Sequence, residues 1–453
     1  MIQPGGRVLK PRRFSGLILL ILALIPLLVL ASNVAKYHVD VPFWDQWNFV
    51  PLLGKSYEEG ITFRDLWDQH NEHRLLFPRL IMLGLAHASR YNIAWELVVI
   101  LLLASATLAL LGRQLIKTSR AWDYPGLPWA MPLLSLLIFT LGQAENWLWG
   151  WQIQIFLNVL AVVAGLSLLG SRVFQWRRFW WALGLGILAT YSFANGLIFW
   201  PLGFLALLLA PPRDKGDKTL ALAAWAVSTA LIVFSYLYQF RYQSPSGMPW
   251  THFLSQPGEY VQYVLKYLGR PVINYEGYAL AIGLIGLLFF GAFTFLFLRD
   301  KRDKARAFLP FFLFGLYSIG CGMLTGIGRI GFGSAQAMSG RYVPFSALIW
   351  IPNFIFVFLL SREIRTRVRA RPLRILSLAG IGVFSFVLVF GIARTSYRVG
   401  HRVFKSYHAR MLPARAELLR GEDERLLLNL YIDADYIRQG IKILKKHGLS
   451  VFR

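Results

Sequence analysis

The chain has 453 residues, of which 56% are hydrophobic, 15% aromatic and only 16% charged, with a formal net charge of +25. A soluble globular chain carries about 25% charged residues, so this composition excludes a water-soluble enzyme built around one large core. The basic excess does not mark a nucleic-acid binder either, because Lys and Arg fall in short clusters between apolar runs and form no continuous stripe.

Apolar runs recur near 14–34, 93–116, 128–143, 152–171, 178–193, 196–211, 219–240, 277–298, 307–327, 342–361 and 373–393. Each approaches the ~20 residues that a hydrocarbon core about 30 Å thick requires. They predict an all-α polytopic membrane protein of about eleven transmembrane helices. The pair around 178–211 is interrupted by Asn195-Gly196 and also reads as one broken or re-entrant segment. The first run follows Arg7, Lys10, Arg12 and Arg13, is long, and has no small-x-small cleavage site, so it reads as an uncleaved first span. The single cysteine, Cys321, lies inside a span, which leaves no intrachain disulfide and no Cys-based metal or redox pair.

Alternate connections carry the positive charge: Arg113/Lys117/Arg120, Arg172/Arg177/Arg178, Arg213/Lys215/Lys218, the cluster from Arg299 to Arg306, and Arg362 to Arg374. The other set, 35–92, 142–151, 191–196, 241–276 and 326–341, is rich in Trp, Tyr, Asn, Gln, His and acids. By the positive-inside rule the N-terminus is cytoplasmic and the second set faces outward. Residues 1–393 then form a membrane domain with a long first outer loop (35–92). Residues 394–453 form an outer, amphipathic helical tail that packs on it. Within the first loop, 75–90 fits an interfacial helix better than a span, because Arg79 and His87 interrupt it. In the tail, Asp433 or Asp435 caps a last helix that ends at Lys445, Lys446 and His447, with Gly448 after it.

The candidate chemistry lies in the outward set. VPFWDQW places Asp45 between Trp44 and Trp47, and aromatic neighbours that exclude water suit a carboxylate to general-base work. QHNEHRLLFPR gathers His70, Asn71, Glu72, His73 and Arg74. Glu72 or a histidine there is expected to bind sugar hydroxyls or assist proton transfer, and Arg74 to pair with a phosphate or carboxylate. An internal ion pair, Glu72–Arg74 or Asp68–Arg74, is the plainer alternative. His-x-x-His beside a carboxylate could hold a metal, but no third ligand is evident, and a divalent metal is not favoured. QAENWLWGWQ sets Glu145 and Asn146 among Trp147, Trp149 and Trp151, a carbohydrate-binding composition that an interfacial aromatic belt shares. Gln152 and Gln154 follow just inside a span and imply an inward-facing cavity. SFANG puts Asn195 in a helix break of the kind tolerated where it lines a cavity. GRIGFGSAQAMSGRY holds four glycines with Arg329 and Arg341 near its two ends, a phosphate-binding pattern that also includes Gln336 and Tyr342. Lys266, Arg270 and Arg241 are weaker phosphate candidates. There is no P-loop and no Rossmann fingerprint.

An early Asp in a long outer loop, interfacial helices and the HxxHRxLFPR-like approach to the second span resemble the GT-C superfamily of membrane glycosyltransferases. The motifs together also resemble a group of uncharacterised bacterial membrane proteins with this architecture. The resemblance is best over the first hundred or so residues. It implies a polyprenyl-phosphate- or diphosphate-linked sugar donor, inversion at the anomeric carbon, and a glycan, lipid or protein acceptor, in the bacterial inner membrane and without nucleic acid. By this resemblance Asp45 acts at the acceptor, and Arg329 or Arg341 holds the leaving lipid phosphate. The paired acid of several such families is here Asp45-Gln46, a departure that argues against a metal-dependent subtype. Two other classes compete. A lipid-linked-sugar transporter or flippase is disfavoured by the scarcity of charge inside the spans and the lack of paired halves. An O-antigen-type polymerase or ligase is disfavoured because the longest outer loop here comes first.

Overall fold

The computed structural model describes residues 13–171, 174–209, 215–241, 255–299, 305–420 and 422–453. Arg7, Lys10, Arg12, Arg172, Arg213, Lys301, Arg302 and Lys304, invoked above for orientation, lie outside them, as do residues 210–211 of the sixth expected span and 242–254 of the fourth outward connection.

The described chain is almost wholly helical, as continuous apolar runs demand where backbone groups must be satisfied within a segment. Among the described residues nine helices are long and apolar enough to cross a membrane. They include α1 (Arg13–Tyr37), α5 (Ile93–Trp122), α8 (Ile153–Leu169) together with the 3-10 turn Gly150–Gln152 before it, α11 (Lys215–Leu237), α13 (Glu276–Arg299) and α14 (Leu309–Arg329). The expected spans at 178–193 and 196–211 are shorter helices: α9 (Trp176–Thr190) has 15 residues and α10 (Phe199–Leu209) has 11. The break between them is a turn and a 3-10 segment, Ala194–Ile198. Asn158 of α8 stitches this break to the bundle, donating to the carbonyls of Ala189 and Phe193 at 2.8 and 3.3 Å.

The first loop is built of short elements. α2 (Gln46–Glu58) is followed by α3 (Phe63–Trp67), whose start carries a reciprocal capping box between Thr62 and Asp65. A two-stranded hairpin comes next: β1 (Gln69–His70) pairs antiparallel with β2 (His73–Arg74), with His70 opposite His73. Asn71 takes a φ of +49° in its turn, a conformation asparagine tolerates better than most residues. α4 (Leu76–Ser89) occupies the stretch expected to lie at the interface. Between the loop and the tail lie α6 (Met131–Ile138), α7 (Ala144–Leu148), α12 (Pro257–Gly269), α15 (Val343–Ser346) and α16 (Trp350–Arg367).

The last apolar helix, α17 (Arg371–Arg394), does not end at 393. It runs through a π turn, Thr395–Gly400, into α18 (His401–Glu417). After α19 (Glu424–Leu427), α20 (Ala434–Lys446) is capped by Asp433, whose side chain accepts from Tyr436 N–H at 3.0 Å. This tail lies on the first loop. Leu430 O accepts from Trp44 N–H at 2.8 Å, Asn48 Nδ2 donates to Tyr431 Oη at 3.2 Å, and Lys446 reaches Glu58 at 2.5 Å. Loop and tail share one continuous buried core with the bundle.

Candidate functional site

One cavity of about 390 Å³ collects residues from four of the five connections expected to face outward and from the end of α11 that leads into the remaining one, 241–276. Asp45, His70, Asn71, Glu72, His73, Trp149, Gln152, Asn195, Arg329, Arg341 and Tyr342 all line it. Helices that alternate in direction bring every second connection to the same end of a bundle, so residues distant in sequence converge there.

Asp45 reaches the cavity because of its backbone. Trp44 takes a φ of +48° and points its ring outward, 43% exposed, so Asp45 stands at the N-cap of α2. Its side chain makes no capping hydrogen bond, and its carboxylate lines the cavity instead. Oδ2 lies 3.7 Å from His70 Nε2. The departure at position 46 has a structural reason. Gln46 turns away into the core, where Nε2 donates to Glu96 Oε2 at 2.6 Å and Oε1 accepts from Phe43 N–H at 3.1 Å. Both side chains are buried, and a Cβ at Gly150, between two cavity tryptophans, would sit 1.9 Å from Glu96 Oε2. The Gln46–Glu96 pair therefore braces the Asp45 turn against the tryptophan wall.

His73 stacks on Phe193 at 4.0 Å, and its Nδ1 accepts from Ala194 N–H at 3.3 Å. That bond leaves the ring proton on Nε2. Burial, reinforced by nearby His70, Arg329 and Arg341, pushes its pKa well below the ordinary histidine value. His73 is thus a neutral ring in the cavity wall, suited to hydrogen bonding rather than to carrying charge. Glu72 pairs with Arg329 at 2.7 Å, and its carbonyl accepts from Tyr236 Oη at 2.7 Å. Neither ion pair expected of Arg74 forms. Arg341 donates through Nε to Ser339 Oγ at 3.1 Å and pairs with no carboxylate among the described residues. The phosphate-capable end thus holds two guanidiniums and one carboxylate.

Five residues of the cavity lining carry a buried polar atom without a hydrogen-bond partner among the described residues: His70 Nε2, Trp149 Nε1, Gln152 Oε1, Gln154 Oε1 and Asn195 Nδ2. Buried polar groups in proteins are nearly always paired, so these unpaired atoms just behind the cavity surface can serve a polar ligand once their side chains turn toward it. Leu237, Phe240, Leu324 and Ile327 add an apolar stretch to the lining. Leu237 is 52% exposed on the outside of the bundle.

Five sequence candidates lie elsewhere. Trp44 faces outward for the reason given. Arg74 is 4% exposed and spends its guanidinium on the carbonyls of Tyr236, Trp67 and Tyr238, with its face over the Trp67 ring. Glu145 is exposed in the first turn of α7. Asn146 is buried and ties Gln143 to the carbonyl of Gly340. Gln336 lies on the 3-10 turn Ser334–Met338, away from the cavity. The weaker phosphate candidates are also committed. Lys266 holds Glu276 and Ser334, Arg270 holds the carbonyls of Met338 and Gly142, and the backbone of Arg241 pairs with the Gln69 amide. Burial lowers the pKa of Arg270 to about 10. Lys266 and Arg270 thereby pin the glycine-rich connection that carries Arg341. Among the described residues no group of three or more His, Cys, Asp or Glu side chains is arranged to hold a metal.

Tyr236, Phe240 and Thr325 line the cavity without a sequence signal, since each sits near the end of an ordinary apolar run. Glu96 did carry a signal, an acid inside an apolar segment. Replacing Glu96 by Ala leaves the Gln46 amide buried without its acceptor, at a cost of about 1–3 kcal/mol. Thermal unfolding of the purified protein should show that loss, and Glu96→Gln, which retains an acceptor oxygen, should recover most of it. An unchanged midpoint in Glu96→Ala would remove the brace from the account. No protein-family model and no curated protein matches the chain.

Proposed function

We propose that this chain is an inverting glycosyltransferase of the GT-C type. It moves a sugar from a polyprenyl-phosphate-linked donor to an envelope acceptor at the extracytoplasmic face of a bacterial inner membrane. One observation carries the reading: a single cavity unites a free carboxylate (Asp45), unpaired hydrogen-bonding atoms beside indole rings, two guanidiniums and an apolar wall at the edge of the bundle. Each feature answers to one part of such a donor. The sugar lies against Trp149, Gln152 and Gln154. The phosphate lies at Arg341 and Arg329, and the prenyl chain leaves past Leu237 and Leu324.

In this mechanism Asp45 takes the proton of an acceptor hydroxyl as its oxygen bonds to the anomeric carbon. The bond from that carbon to the phosphate oxygen breaks, and the electron pair leaves on the lipid phosphate. One displacement inverts the centre. Arg341 stabilises the departing charge. Arg329, half-neutralised by Glu72, assists and fixes the hairpin.

The membrane topology belongs to the same proposal: eleven crossings, N-terminus cytoplasmic, C-terminus outside. α9 and α10 are short for two full crossings. A re-entrant pair entering and leaving on the cytoplasmic side would preserve the same parity.

The test is reconstitution with undecaprenyl-phosphate-linked hexoses and candidate acceptors, scored by release of undecaprenyl phosphate. Arg341→Ala should lower turnover by about 10²-fold or more, as loss of one preorganised charge-stabilising group does, while Arg341→Lys retains a part. Movement of the intact donor between leaflets without cleavage would replace this reading with that of a carrier.

A further inference from the structure

Behind His70 and Trp151 lies a second cavity of about 280 Å³. Asn48, Leu52 and Lys55 of α2 wall it, with Asp65, Asp68 and Arg79. His70 and Trp151 line both cavities and meet edge to face, ring centroids 5.0 Å apart, so they form the partition.

At that partition His70 Nε2 is buried without a hydrogen-bond partner, 3.7 Å from Asp45 Oδ2. The gap is too long for a direct hydrogen bond. Nε2 is closed to solvent here, so an oxygen that hydrogen-bonds both atoms enters with a small shift of the His70 ring. The second cavity meets this gap only through His70 and Trp151, since Asp45, Arg329 and Arg341 line the first cavity alone.

Its own charges are committed. Lys55 Nζ grips both oxygens of Asp65 at 2.8 and 2.9 Å. Arg79 Nη1 donates to the carbonyls of Asp65, Leu66 and Asp68 at 3.3, 3.0 and 2.6 Å. A phosphate or free carboxylate would have to break one of these arrangements. What remains suits a neutral ring: the Trp151 and Leu52 surfaces for an apolar face, and Asn48 and the mostly exposed Asp68 carboxylate for hydroxyls.

We propose that the second cavity is an acceptor site for the uncharged terminal sugar of a glycan, with the attacking hydroxyl seated between His70 Nε2 and Asp45 Oδ2. The catalytic half of this inference rests on the transferase reading above; the binding half does not. In the reaction the hydroxyl proton passes to Asp45, the oxygen bonds to the donor's anomeric carbon, and lipid phosphate departs on the far side.

The experiment uses the full chain in lipid nanodiscs, wild type beside Leu52→Trp, which fills the cavity, and Asp68→Ala, a milder change on an exposed side chain. Saturation-transfer NMR with methyl glycosides of glucose, galactose, mannose and N-acetylglucosamine reads binding without requiring turnover, and a Ser/Thr peptide serves as the competing probe. At least one glycoside should bind wild type, lose its signal in Leu52→Trp and weaken severalfold in Asp68→Ala. With undecaprenyl-phosphate sugar present, transfer to that glycoside should fall about tenfold or more through acceptor KM in Leu52→Trp. Slow donor cleavage by water should persist. Failure of every glycoside to bind wild type overturns the proposal, as does binding indifferent to both substitutions. Peptide binding with the expected sensitivity overturns it in favour of a protein acceptor. Glycoside binding that Leu52→Trp abolishes, with no donor cleavage by wild type, upholds the glycan site and sinks the transferase reading instead.

Discussion

Asp45→Asn should abolish nearly all sugar transfer while leaving the protein folded. Asparagine keeps the size and the N-cap position but cannot accept a proton, and a positioned general base contributes about 10²–10⁴-fold to rate. Stability should hold, because the Asp45 side chain makes no capping bond and its carboxylate lies 3.7 Å from His70 Nε2, beyond hydrogen-bond reach. The pair of measurements is turnover of undecaprenyl-phosphate sugar and the thermal unfolding midpoint. Donor KM should move little, since the lipid phosphate is assigned to arginines beyond His73. Turnover within about threefold of wild type would sink the assignment of Asp45 as base.

Arg74→Ala should have the opposite signature, a large loss of stability. Arg74 is buried and donates to Tyr236 O at 2.8 Å, to Trp67 O at 3.1 Å and to Tyr238 O. These bonds clip the His70–Arg74 hairpin to the end of α11. Hydrogen bonds to a charged group contribute about 1.5–3 kcal/mol each, and their removal strands buried carbonyls. Allowing for non-additivity, a loss of about 3–5 kcal/mol is expected. Arg74→Lys should recover little, because a point charge cannot span three carbonyls as a planar fork does. Denaturation of the purified variants measures this. A stable Arg74→Ala protein with raised donor KM would instead return Arg74 to the phosphate role that its motif suggested.

The contrast between Arg74 and Arg341 shows where the sequence was legible. Both stand in polar motifs on outward connections, and both read as anion binders. Arg74 follows an asparagine turn that aims it back at the bundle, where three main-chain carbonyls engage its Nε, Nη1 and Nη2. Arg341 is carried by a loop that Lys266 and Arg270 pin from behind, so its own guanidinium is left for the cavity. Nothing local in the sequence distinguishes these fates, because the partners are backbone groups far along the chain. The same holds for Glu145 and Gln154. The acid in the aromatic motif faces out, while the amide one turn into the next helix faces in.

The long apolar runs determined by themselves that the chain is helical and membrane-embedded, since hydrocarbon permits no other backbone for such lengths. The polar connections expected to face outward stood apart by composition, and residues from all but one of them line one cavity, with the end of α11 at its wall. They share a face because alternating helices return each second connection to it. Tertiary structure alone decided which polar side chains on that face remain free. It turned Gln46 into the core against Glu96 and left Asp45 without a cap. It spent Arg74 and Arg270 on carbonyls, paired Glu72 with Arg329 and kept His73 neutral. Those outcomes depend on burial and on partners tens to hundreds of residues away, which no spacing within a motif records.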